Sequence, residues 1–194
     1  MIRRRIVAAE SDSSALERLK EMIFRSGFNV VGEATDGNTV IKVARSTQPD
    51  LVVLDSKLSG LDGLEVARIL EEESVVPSLV VTTRASRELL ERVRDSYFIS
   101  FLVKPIRPQQ LFTAVEQALA NHERFQKLEQ QLEDLKKSLE SKKVIERAKA
   151  IMMHTKEMTE NEAHKFLQQM SMKKRKSMQE IAMAIITAHE INQH

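Results

Sequence analysis

Four polar residues stand where apolar runs break off. Glu10 follows Arg5-Ile6-Val7-Ala8-Ala9, and Asp55 follows Leu51-Val52-Val53-Leu54. Thr83 follows Leu79-Val80-Val81-Thr82, and Lys104 follows Ile99-Ser100-Phe101-Leu102-Val103. One carboxylate in such a place is usually a helix cap. Four convergent groups of these types can do more. Carboxylates hold a hard divalent cation such as Mg²⁺. A lysine and a hydroxyl can receive phosphoryl oxygens. One aspartate can then act as the nucleophile that forms an acyl phosphate. A second set of charges, Arg147, Lys149, Lys173, Lys174, Arg175 and Lys176, lies toward the other end and suits a polyanion.

The first four groups need a scaffold that brings strand ends together. The four-residue run Leu51–Leu54 is the mark of a strand covered on both faces. Asn29–Ala34 supplies one more strand, making five. Helical spacing fills the gaps: Leu16, Leu19, Met22 and Ile23, then Val40, Ile41, Val43 and Ala44, then Leu64 to Leu70, then Leu89, Leu90 and Val93. A last helix opens at Leu111. Strands alternating with helices across short joins predict a doubly wound, five-stranded parallel sheet. Such sheets bind ligands outside the carboxyl ends of their strands, where Glu10, Asp55, Thr83 and Lys104 fall.

Beyond the sheet, Leu111 to about Met152 holds neither proline nor glycine. Phe125, Leu128, Leu132, Leu135 and Leu139 step by three and four, the a/d seam of a short coiled coil and of a homodimer. Three helical segments then share an apolar seam: Val144, Ile145, Ala148, Ile151 and Met152; Ala163, Phe166, Leu167 and Met170; Met178, Ile181, Ala182, Ile185 and Ile186. Thr159 with Glu162 and Ser177 with Glu180 fit the capping box ahead of the second and third segments.

Charge is unevenly divided. From Lys142 onward, ten bases and six acids give +4, which leaves −2 for the rest of a chain whose net charge is +2. The chain has no cysteine, which excludes disulfides and cysteine-based zinc or redox sites. No apolar run approaches the roughly 20 residues of a membrane span. The basic start Met1-Ile2-Arg3-Arg4-Arg5 lacks the apolar stretch of a secretory signal, so a cytoplasmic protein is expected. His122, His154, His164, His189 and His194 lack metal-ligand spacing, and no second catalytic constellation is present, so an enzyme is not expected.

Pro49-Asp50-Leu51-Val52-Val53-Leu54-Asp55, Gly60-Leu61-Asp62-Gly63-Leu64-Glu65, Thr83 and Lys104-Pro105 resemble the receiver domain of two-component response regulators. The resemblance implies a flavodoxin-like (CheY-like) fold over residues 1–120. It makes Asp55 the phosphoacceptor, Glu10 and Asp55 the Mg²⁺ site, Thr83 the switch hydroxyl, Phe101 the switch aromatic and Lys104 the phosphate-contacting lysine. The chain departs from the family where Ser11 replaces the second of two adjacent acids, which weakens the metal site. Ser59, Arg84 and Tyr97-Phe98 also stand at unusual positions.

Val144-Ile145-Glu146-Arg147-Ala148-Lys149, Thr159-Glu160-x-Glu162-Ala163, Ser171-Met172-x-Lys174-Arg175 and Ile181-Ala182 resemble the ANTAR domain of bacterial transcription antiterminators. This implies a three-helix RNA-binding domain over residues 142–194, joined to the receiver by a coiled-coil helix over 121–141. Ala150, His164 and Gln168 depart from common family residues.

Together the resemblances imply an antiterminator that binds leader-RNA stem-loops, switched by phosphorylation of Asp55 by a histidine kinase and by dimerisation. Lys149, Lys174 and Arg175 are the expected RNA contacts, with Arg147, Lys173 and Lys176 in support. Three alternatives stand beside this. The receiver could be an unphosphorylated platform controlled by a partner protein. The last three helices could form a DNA-binding helix-turn-helix, though Met178 to His189 offers few polar readers. The chain could also be an adaptor that binds protein alone.

Overall fold

Strict alternation along the apolar runs decides the first fold unit. In the computed structural model, which describes residues 3–73 and 76–191, these runs are β1 (Arg5–Ala9), β2 (Asn29–Ala34), β3 (Leu51–Asp55), β4 (Ser78–Thr82) and β5 (Ile99–Val103). They pair in parallel in the order β2-β1-β3-β4-β5. Ile6 and Ala8 of β1, with Leu51 and Val53 of β3, face one side. Val7, Ala9, Val52 and Leu54 face the other. A residue period of two sends neighbours to opposite faces, so both faces are apolar and both must be covered.

Helices supply the cover. Leu16, Leu19 and Ile23 of α1 (Ser13–Arg25), with Leu111, Val115 and Leu119 of α5 (Pro108–Lys156), close the first face. The second is closed by α2 (Gly37–Thr47), α3 (Gly63–Glu72) and α4 (Arg87–Arg94), through Val40, Val66, Leu70 and Leu89 among others. Aspartates cap three of these helices. Asp12, Asp36 and Asp62 each accept a backbone N–H from the first turn of α1, α2 and α3. The doubly wound five-stranded sheet expected from the sequence is present.

The chain divides into two compact units, residues 1–127 and 128–194, and the 49-residue helix α5 runs through the boundary. In the second unit α5 packs with α6 (Glu160–Lys174) and α7 (Met178–Ile191) around Ala148, Met152, Ala163, Leu167, Ile181, Ala182 and Ile186. Both expected capping boxes form. Thr159 and Glu162 satisfy each other's backbone N–H groups at the start of α6, and Ser177 and Glu180 do so at α7.

One expectation needs correction. Phe125 does not head an open seam. It is half-buried against the core of the first unit and stacks on Tyr97 at 5.0 Å between ring centroids. The exposed stripe starts at Leu128 and continues through Leu132, Leu135 and Leu139. No helix among the described residues is long and apolar enough to cross a membrane. His194 and the first two residues of the basic start lie outside the described residues.

Candidate functional site

Parallel strands end at one edge, so the residues that close β1, β3 and β5 meet there. Asp55 is the last residue of β3 and 5% exposed; Glu10 follows β1 and is 8% exposed. Lys104 follows β5. Its Nζ donates to Glu10 Oε2 at 2.8 Å and is ion-paired with the Asp55 carboxylate. Burial works to lower the lysine's pKa, but the hydrogen bonds to Asp55 and Glu10 outweigh it and hold Lys104 above its ordinary range.

Asp55 is fixed from behind. Gly63 opens α3 so close to it that a Cβ would come within 2.1 Å of the Asp55 carbonyl oxygen. Only glycine permits that approach. Gly63 N–H also donates to Ser56 O at 3.0 Å, and Lys57 N–H donates to Asp55 Oδ1 at 2.6 Å. A cavity of about 340 Å³ lies beside the site, lined by Leu19, Met22 and Ile106 as well as by Asp55, Glu10 and Lys104.

Ser11 acts as a brace. Its hydroxyl donates to Lys57 O at 3.2 Å and accepts from Ser59 N–H at 3.0 Å. Asp12 cannot take the place of the missing acid, because its carboxylate caps α1 through Ala15 N–H at 2.7 Å. Among the described residues no cluster of three or more His, Cys, Asp or Glu side chains could hold a metal. The acidic donors at this edge are the carboxylates of Asp55 and Glu10. That set is too sparse for a closed cage, but it fits a hard cation that keeps several waters, as Mg²⁺ does.

The two adjacent threonines are placed differently. Thr83 lies beyond the end of β4 and is exposed. Thr82, the last residue of β4, is 5% exposed. Its Oγ1 accepts from Ser56 Oγ at 3.1 Å and donates to Arg84 O at 3.0 Å. Ser56 directly follows Asp55, so Thr82 is the hydroxyl tied to the neighbour of the carboxylate. In the parallel register Thr82 pairs with Val103, the residue before Lys104. Phe101 is half-buried on β5 and packs against the core on the α2–α4 side.

The basic residues of the second unit fall into two groups. Lys149 is buried, with its side chain 6% exposed. Its Nζ donates to Glu160 Oε1 at 2.7 Å and to Glu146 Oε1 and Oε2 at 2.9 and 3.0 Å. Those bonds, to Glu160 first and Glu146 second, raise its pKa above the ordinary range. Lys149 is therefore a brace between α5 and α6 and not an exposed contact, which corrects the sequence expectation. Arg147 is engaged with Glu190 at 2.8 Å on the outside of the unit.

Lys173, Lys174, Arg175 and Lys176 behave differently. All four are exposed, at the join of α6 and α7. Arg175 takes the left-handed conformation, φ 53°, that ends α6. Ser171 holds the join from within: its hydroxyl donates to Lys176 O at 2.6 Å and its carbonyl accepts Lys176 N–H at 3.2 Å. Lys173 and Lys174 end α6, Arg175 and Lys176 follow it, and none of the four is in a salt bridge among the described residues. Phe166, the one aromatic residue of this unit, is half-buried against its core.

Residues 6–116 match the response regulator receiver domain family, and residues 133–186 match the ANTAR domain family. The transcriptional regulatory protein PdtaR of Mycobacterium tuberculosis is 33% identical over 183 residues, covering 94% of this chain and 89% of PdtaR. The DNA-binding response regulator MtrA of Mycolicibacterium smegmatis is 31% identical over 124 residues, 63% of this chain and 53% of MtrA. Among solved structures, the response regulator domain of Thermotoga maritima CheB superposes with a TM-score of 0.55 at 20% identity, covering 61% of this chain and 98% of that one. A response regulator receiver domain protein from Clostridium thermocellum gives a TM-score of 0.56 at 18% identity, over 63% of this chain and 98% of that one.

Proposed function

The chain belongs to the response regulators that join a receiver domain to an ANTAR domain, and on that premise we propose that it is a transcription antiterminator that binds stem-loops of leader RNA. The observation that carries this reading is the join 173–176, four exposed bases at the end of α6 and just beyond it, none in a salt bridge among the described residues. A fixed cluster of cations matches a folded phosphate backbone better than a flexible tail does. With Phe166 turned to the core, recognition rests on backbone contacts, hydrogen bonds and shape and not on stacking. Lys174 and Arg175 carry the grip, with Lys173 and Lys176 in support.

Control runs through Asp55. A histidine kinase transfers a phosphoryl group to an Asp55 carboxylate oxygen, breaking the P–N bond of the phosphohistidine and forming an acyl phosphate. Lys104, already in contact with Asp55, neutralises charge on the phosphoryl oxygens. Mg²⁺, held by Asp55 and Glu10, supplies further charge neutralisation when bound. Thr82 is the hydroxyl placed to answer the new group, and it leaves Ser56 to do so. Phe101 then shifts on β5. Two receivers brought together through the leucine stripe of α5 present two RNA-binding units to paired stem-loops, so that a terminator hairpin does not form.

One observation favours a second reading. Ser11 and Asp12 are both committed to other bonds, and Lys104 already balances Glu10 and Asp55. A receiver so arranged can serve as a platform for a partner protein without phosphorylation. The deciding experiment is binding of a two-stem-loop leader RNA with and without acetyl phosphate and Mg²⁺, alongside Asp55→Ala. Tightening that requires Asp55 supports the switch. Tight binding that ignores both supports the platform. Binding to duplex DNA in preference to RNA overturns the proposal.

A further inference from the structure

The exposed stripe on α5 is short. Leu128, Leu132, Leu135 and Leu139 are each more than half exposed and occupy d, a, d and a of a heptad. Four layers make a marginal coiled coil. The next layer up is Phe125, at a. The layer above that is the polar Asn121, and the one before it, Ala118, is buried in the receiver core. Phe125 is therefore the one residue by which the seam can lengthen at its N-terminal end.

Phe125 is not available while the receiver holds it. Its ring stacks on Tyr97 at 5.0 Å and meets Phe98 edge-on at 5.7 Å. Tyr97 and Phe98 lie between α4 and β5, and Tyr97 is 61% exposed, so the stack rests on a surface ring. One ring cannot fill both places. We propose that Phe125 exchanges between the Tyr97–Phe98 stack and the a layer of a parallel α5 pair with a second copy of this chain, so that zipper length and the α4–β5 loop are coupled.

Charge supports a second copy as the occupant. In a parallel pair Arg124 at g lies opposite Glu129 of the partner subunit at e, and the next such pairs, Gln131 with Lys136 and Ser138 with Lys143, bring no like charges together. This inference rests on the dimer of the proposed function and adds what limits it.

The full chain supplies its own probe, because Tyr97 is its one tyrosine and it has no tryptophan. Sedimentation equilibrium would be run on the wild type, Tyr97→Ala, Phe125→Ala, the double variant and Leu132→Ser/Leu139→Ser, with Tyr97 fluorescence followed on dilution of the wild type. Tyr97→Ala is expected to tighten the dimer about tenfold, since two aromatic stacks no longer compete, and to do nothing in the Phe125→Ala background. Tyr97 emission is expected to change as the dimer dissociates. A seam dimer whose constant ignores Tyr97→Ala, with constant Tyr97 emission, overturns the exchange and leaves the dimer standing. A chain that stays monomeric, or a dimer that survives Leu132→Ser/Leu139→Ser, overturns both.

Discussion

Lys149 Nζ lies 2.7 Å from Glu160 Oε1, across the join between α5 and α6. The contact separates the basic residues of the second unit by role. Lys149→Ala should destabilise that unit by roughly 1–3 kcal/mol, the range for loss of a buried, charge-assisted network. Both glutamates left behind are exposed enough to be solvated, which keeps the loss from being larger. Thermal unfolding followed by circular dichroism checks this. At a temperature where the variant stays folded, its salt dependence of RNA binding should match the wild type.

Lys174→Ala and Arg175→Ala should do the opposite. Each should leave stability within about 0.5 kcal/mol, because the side chains are exposed. Each should lower the slope of log affinity against log salt by about one if it meets a phosphate. RNA titration at three salt concentrations distinguishes the two patterns. An unchanged slope in both variants would remove the join from the RNA interface.

Thr82 and Thr83 make a paired test of the switch. Thr82→Ala breaks the bond to Ser56 and should remove most of the gain in RNA affinity that follows treatment with acetyl phosphate. Thr83→Ala should leave that gain unchanged, since Thr83 is exposed beyond β4. A variant pair with the reverse behaviour would return the role to Thr83.

Ser11→Asp should tighten Mg²⁺ binding by about tenfold, one carboxylate being added to a site that has two. Isothermal titration of the unphosphorylated chain reads this directly. The expected cost is a looser connection between β3 and α3, because the bonds of Ser11 to Lys57 and Ser59 are lost. A Mg²⁺ affinity that does not move would show that position 11 does not face the cation.

Acid should loosen the second unit. Lys149 holds the Glu160 carboxyl below the ordinary carboxylate range; bonds at Thr159 do the same for Glu162 and bonds at Ser177 for Glu180. A lowered folded pKa contributes stability above the unfolded value, about 4.3 for glutamate, and that contribution is lost as pH falls through the folded value. Lys149 has the opposite sign: its contribution is full below the ordinary lysine value, about 10.4, and fades as pH rises through its raised one. Methyl NMR signals of Met152 and Leu167, followed from neutral pH down to about pH 3, should broaden or shift only below the ordinary glutamate value. A transition at pH 6 would point instead to a histidine.

Much of this protein was legible in its order of residues. Short apolar runs have one stable use when helical spacing separates them, so the sheet, its parallel sense and its functional edge follow from local pattern. Capping boxes are local too, because Thr159 and Glu162, or Ser177 and Glu180, need only be three residues apart to find each other. Asp55, Glu10 and Lys104 meet because each closes an apolar run, and a run's end is the sheet's edge.

Relations between distant residues were decided by the tertiary structure. Spacing could not tell Lys149 from Lys174, since both are lysines on helices; burial of Lys149 depends on Glu160, eleven positions away and on another helix. The one-residue choice between Thr82 and Thr83 depends on the pairing of β4 with β3 and β5, which fixes where the strand ends. Phe125 fits a heptad as well as Leu128 does, yet Tyr97 and Phe98 claim it for the receiver. A helical period states which residues share a face, but what that face meets is set by chain segments that only folding brings near.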